Sequence, residues 1–152
     1  MINEHTPQRV ILIGHSMGAQ FVYWVAKMLK QDLLSLCITI EGTLWGPQFV
    51  WINKPLKPLP TDPKKLREKY IFQQVMKHKD KQIEPFPFPC PVISFWNESD
   101  DQDRNRIRQE HDKFWNHNES HMFRNLGHFM HEMKDPEFER MLLIYLIHRL
   151  KH

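Results

Sequence analysis

Residues 9–20 read RVILIGHSMGAQ, and this stretch constrains the fold more than any other. A short apolar run, Val10, Ile11, Leu12 and Ile13, leads into Gly14-His15-Ser16-Met17-Gly18, and helix-forming residues follow at once. The pattern predicts a strand, a sharp turn carrying a serine, and a helix. In such a turn neighbouring main chain packs close, and glycines at 14 and 18 remove the Cβ atoms that would clash. The turn holds the Ser16 hydroxyl clear of the sheet. It also places the Met17 N–H at a helix N-terminus, where a backbone donor can meet developing negative charge. Gly-x-Ser-x-Gly recurs by chance, so the strand before it and the helix after it supply the specificity.

The remaining pattern alternates strands and helices. Residues 10–13 predict a buried strand and 17–30 a helix whose Phe21, Val22, Trp24, Val25, Met28 and Leu29 cover most of its circumference, so it should lie deep. Residues 33–40 (LLSLCITI) form a second strand, apolar throughout as central parallel strands are, ended by Glu41-Gly42-Thr43. Residues 92–96 make a third strand, and the acidic cluster from Glu98 to Asp103 follows it. The next helix carries Ile107, His111, Phe114 and Trp115 on one face. A short strand over 121–125 ends at Leu126-Gly127-His128, and Asp135-Pro136-Glu137 starts a closing helix over 138–150. The expectation is an α/β protein with a mostly parallel sheet of about four strands flanked by helices.

Residues 44–89 behave differently. They hold eight of the eleven prolines, the aromatics Trp45, Phe49 and Trp51, and one helical segment near 63–79. This predicts a cap inserted into one domain spanning 1–152, with Pro87-Phe88-Pro89-Cys90-Pro91 returning the chain stiffly to the core. The cap aromatics suit an acyl pocket and plain cap packing equally.

Serine is a weak nucleophile until a base takes its proton, and the base needs an orienting acid. The turn therefore predicts an acid after a later strand and a histidine beyond it, in the chain order Ser, Asp, His. Asp100 follows the third strand and His128 the fourth, each at a strand's C-terminal end, where open α/β sheets gather their site residues. Asp101 and Asp103 are alternative carriers of the acid, and Glu41 also ends a strand.

On these residues the chain resembles the α/β-hydrolase family. GHSMGA is similar to the nucleophile elbow of its lipases, esterases and thioesterases. Residues 92–100 resemble the strand that ends in Gly-x-x-Asp, with Asn97 where Gly is usual, a residue that also tolerates a left-handed turn. Asn125-Leu126-Gly127-His128 resembles the segment presenting the family's histidine. The resemblance implies Ser16 as nucleophile, His128 as base, Asp100 as orienting acid and Met17 N–H in the oxyanion hole, with Gly14, His15 and Gly18 shaping the elbow. Some relatives place their acid where Glu41 stands. It implies a carboxylic ester or thioester as substrate, an acyl-enzyme intermediate and no cofactor. In the family several strands precede the elbow strand, together with a loop giving a second oxyanion N–H. None is legible before residue 10, so the resemblance implies an N-terminally truncated fold, active when completed or else a non-catalytic module. The elbow strand would then be an open edge, inviting a second copy or another partner to cover it.

Other readings are narrower. The net charge of +3 is modest and the basic stretch 54–69 is interleaved with prolines, which fits a solvated loop and not a nucleic-acid groove. No apolar run is long enough to span a bilayer, and MINEHTPQ lacks a signal-peptide core. The two cysteines, Cys37 and Cys90, fit free thiols in a reducing, cytoplasmic compartment. His131 follows His128 at i+3, and His117 and His121 are spaced i, i+4, but no cysteine or carboxylate pair joins them, so no metal site is expected.

Overall fold

The computed structural model describes residues 9–42, 87–115 and 118–150, all within one compact unit. Most of the expected cap, 44–86, lies outside the described residues, as do His117 and the helix near 63–79.

Four parallel strands form one sheet in the order β1-β2-β3-β4. They are β1 (Val10–His15), β2 (Leu34–Ile40), β3 (Val92–Asn97) and β4 (Asn118–Phe123). Helix α1 (Gly18–Met28) links β1 towards β2, α2 (Gln102–Phe114) links β3 to β4, and α3 (Pro136–Leu150) closes the unit. A helix between successive parallel strands is the connection such a sheet requires. Among the described residues no helix is long and apolar enough to cross a membrane.

The core has two faces. On one, Leu36, Ile38, Ile40, Ile93, Phe95, Phe123, Met130 and Phe138 form a continuous buried cluster. Met141, Leu142, Tyr145 and Leu146 of α3 pack against it. Asp135 starts this helix as its sequence predicts: its Oδ1 accepts from Phe138 N at 2.8 Å. The other face buries Cys37, Thr39, Val92 and Ser94, with the Thr39 hydroxyl donating to Ser94 Oγ at 3.0 Å.

Two expectations change. Helix α1 is not buried all round: its inner stripe is Ala19, Val22, Tyr23 and Ala26, while Phe21, Val25 and Met28 are exposed. The helix lies so close to β1 that small residues are selected on the inner side. A Cβ at Gly14 would stand 2.5 Å from the Gly18 carbonyl carbon and 2.8 Å from Val22 Cγ2. Strand β4 begins earlier than expected, at Asn118, and ends at Phe123. Its first residues are polar and carry no apolar signal, and it ends before Asn125, whose φ of 60° breaks the extended path.

Candidate active site

Every residue expected to carry chemistry lies beyond a C-terminal strand end or in the loop after β4. Ser16 follows β1 with φ 51°, a left-handed conformation that costs a non-glycine residue on the order of 1–3 kcal/mol. The surroundings hold it there. Ser16 N–H donates to Ile40 O at 2.8 Å, and Ala19 N–H donates to Ser16 O at 3.1 Å as α1 begins. The half-buried serine thus stands on a fixed turn. Met17 N–H has no acceptor among the described residues and lies at the positive end of α1. Of the two elbow glycines only Gly14 is crowded; a Cβ at Gly18 would meet open space, because it is the Gly18 main chain that presses on residue 14.

The loop after β4 presents His128. Asn125 and Gly127 take positive φ values of 60° and 70°, and Asn97 clamps the segment from the end of β3. Asn97 Oδ1 accepts from Leu126 N at 2.9 Å and from Gly127 N at 3.0 Å. Asn97 does not adopt the left-handed turn its sequence suggests; its side chain makes these bonds instead. From the other side His15 Nε2–H donates to the His128 carbonyl at 2.7 Å. Burial pushes the His15 imidazole below its usual range, which keeps it neutral and suited to this single donation.

The carboxylate beside His128 is that of Glu41. Its Oε2 lies 3.4 Å from His128 Nδ1, and its side chain is only 3% exposed while that of His128 is 39% exposed. Glu41 follows β2 with φ 49° and donates its N–H to Phe95 O at 2.8 Å. Its Oε1 accepts from Asn97 N, and Arg104 of α2 ion-pairs with Oε2. A buried carboxylate is stable only when paired and hydrogen-bonded, and Glu41 meets both conditions.

The structure brings Glu41, and not Asp100, beside His128. Asp100 is exposed, and among the described residues no hydrogen bond or ion pair joins it to His128. The reason lies in the start of α2. Asp101 caps that helix, accepting from Asp103 N at 2.9 Å and Arg104 N at 3.4 Å, which leaves Asp100 on the outer side of the turn. Arg104 lacked any local signal in the sequence, because its meaning depends on a residue 63 positions away.

His15, His128 and His131 gather with ring centroids 4.7 and 4.3 Å apart. Among the described residues no group of three or more His, Cys, Asp or Glu is arranged to hold a metal ion. His15 Nε2 is committed to a carbonyl and His128 Nδ1 faces a carboxylate. Among the described residues no hydrogen bond joins Ser16 Oγ to His128, and the Nε2 of His128 makes none.

No protein-family model and no curated protein sequence matches the chain. Solved structures do. An α/β hydrolase enzyme from the metagenome of sediments of the lagoon of Mar Chica, Morocco, superposes with a TM-score of 0.67 at 15% identity, over 94% of this chain and 63% of that one. A carboxylesterase structure from the thaumarchaeon Nitrososphaera gargenis gives 0.64 at 16%, over 95% and 67%. A membrane phospholipase A described as a bacterial virulence factor gives 0.63 at 17%, over 97% and 59%. The chain has the α/β-hydrolase fold, and it spans about three-fifths to two-thirds of the length of these structures.

Proposed function

We propose that this chain carries the catalytic residues of a serine hydrolase acting on a carboxylic ester or thioester. The observation that carries the reading is the buried Glu41 carboxylate behind the accessible His128 imidazole, on the same sheet end as a serine held at positive φ. Glu41 accepts the His128 Nδ1–H, which leaves Nε2 unprotonated and able to act as base. His128 takes the Ser16 proton as Oγ attacks the substrate carbonyl. The oxyanion that forms accepts from Met17 N–H, and one such donor is worth about 2.7–4 kcal/mol in the barrier. His128 then protonates the leaving alcohol or thiol, and water repeats the sequence to free the acid. A second oxyanion donor would come from a segment covering β1, which pairs only with β2 among the described strands. The mechanism calls for no cofactor.

A second reading, a non-catalytic module of the same fold, draws on the lack of a Ser16–His128 hydrogen bond and on β1 having one strand neighbour, β2, among the described residues. A fluorophosphonate probe separates them. The hydrolase reading expects stoichiometric labelling of Ser16 in the folded chain, abolished by Ser16→Ala, with p-nitrophenyl ester turnover lost in parallel. A folded chain that takes no label at Ser16 overturns it.

A further inference from the structure

The catalytic reading leaves both cysteines unused. Cys37 sits in the middle of β2, fully buried, and its N–H donates to Pro91 O at 3.1 Å. Cys90 lies two residues before β3, outside the strand ladder, between Pro89 and Pro91. The two sulfurs stand 3.9 Å apart. They differ in access. Cys90, 5% exposed, lines a surface cleft of about 220 Å³, and Cys37 does not line it. Arg9, Asp32, Ser35 and Arg149 are also on the cleft wall. We propose that Cys37 and Cys90 form a site of reversible oxidation, in which a hydroperoxide entering this cleft converts the dithiol to an intrachain disulfide.

The roles follow from position. Cys90 is the attacking sulfur, because it meets the cleft and Arg149 faces it. The thiol held low is the more readily ionised one, and the neighbouring Cys37 thiol, helped by Arg149, holds Cys90 below the usual range against its burial. Cys37, wholly buried and hydrogen-bonded to Cys90, is held above it and stays protonated. The Cys90 thiolate attacks the terminal peroxide oxygen. An S–O bond forms, the O–O bond breaks, and the displaced alkoxide or hydroxide takes up a proton. Cys90 is now a sulfenic acid. Cys37 attacks that sulfur, the S–S bond forms, and the S–O bond breaks with loss of water that carries the Cys37 proton. Two thiols and one peroxide thus give one disulfide, water and an alcohol or second water. A disulfide sulfur pair is about 2.05 Å apart, so closure asks the Cys90 side chain to swing by about 2 Å from outside the ladder. The bond would tie β2 to the entry of β3 across 53 sequence positions. This site stands apart from the hydrolase reading and does not depend on it.

The test uses the full folded chain, reduced and then exposed to a few equivalents of hydrogen peroxide. The expected product is a monomer about 2 Da lighter, with neither cysteine alkylated after denaturation and both restored by dithiothreitol. In Cys37→Ser the same treatment leaves Cys90 as a sulfenate captured by dimedone. The wild-type mass and alkylation pattern decide the matter even where that variant fails to fold. Two free thiols after peroxide, a disulfide only between chains, or Cys90 driven to sulfinic acid beside a free Cys37 each overturn the proposal.

Discussion

Two histidine–carboxylate pairs flank the Glu41-Gly42 turn, and they are built inside out relative to each other. At one, Glu41 is buried and His128 is accessible. At the other, the His111 side chain is 1% exposed and its carboxylate partner Asp112, 3.6 Å away, is 19% exposed. His111 is packed on every side. Trp115 Nε1–H donates to its Nε2 at 2.9 Å, the Trp96 ring stands edge-on at 5.0 Å, and a Cβ on Gly42 would come within 3.0 Å of Nε2. Burial drives its pKa below the usual range, with Asp112 opposing, so it stays neutral. Asp112 is in turn held low despite its burial by hydrogen bonds from His111, Ser120 and Trp96. An imidazole that must accept and release protons needs access on one side and a fixed charge behind it. An imidazole that joins a helix to a sheet needs neither. The same two residue types thus give an accessible imidazole backed by a buried carboxylate at one pair and a buried imidazole with a more exposed carboxylate at the other.

Deleting each imidazole in turn separates the two pairs most strongly. His128→Ala is expected to lower labelling of Ser16 by about 10⁴–10⁶-fold, the range of kcat losses when a triad member is removed, with an unchanged melting temperature. His111→Ala is expected to do the reverse. It empties a buried site and orphans the Trp115 N–H, for a loss of about 3 kcal/mol by urea unfolding, while the folded fraction still labels. If His111→Ala abolished labelling without loss of stability, or His128→Ala unfolded the chain, the two roles would be exchanged.

A smaller effect sharpens the contrast through pH. The folded pKa of His111 lies below its ordinary value of 6.5, so the unfolded chain binds the extra proton first. Stability from this group is complete above about pH 6.5 and erodes as pH falls below it. His15, lowered by burial as well, adds a contribution of the same sign. Urea midpoints between pH 7.5 and pH 5.5 are expected to fall in the wild type, and to fall less in His111→Asn. An equal slope in both would remove the buried neutral imidazole from the account.

How far the sequence revealed this arrangement depended on distance along the chain. The elbow was legible because its causes are local: the apolar run, Gly14 pressed by the Gly18 main chain, and a helix start sit within ten residues. The same holds for Asp135 capping α3. The loop bearing His128 was legible from Gly127, whose φ of 70° suits glycine. The acid was not. Glu41 and Asp100 both follow a strand, and only the meeting of His128 with a residue 87 positions earlier separates them. Helix α1 misled in another way. Its large apolar residues suggested depth, but closeness to β1 turned the small ones inward and left Phe21, Val25 and Met28 outside. His111 carried the apolar face it shares with Ile107 and Trp115, yet nothing local separated it from the nine other histidines.

In the proposed mechanism Glu41 orients His128 and Asp100 does not. Rates of Ser16 labelling by a fluorophosphonate, measured side by side for wild type, Glu41→Gln and Asp100→Asn at matched folded fraction, test it most directly. Glu41→Gln is expected to slow labelling by about 10²–10⁴-fold, as loss of the orienting carboxylate does elsewhere, with Asp100→Asn within about threefold of wild type. A slow Asp100→Asn beside a wild-type-like Glu41→Gln would contradict the claim.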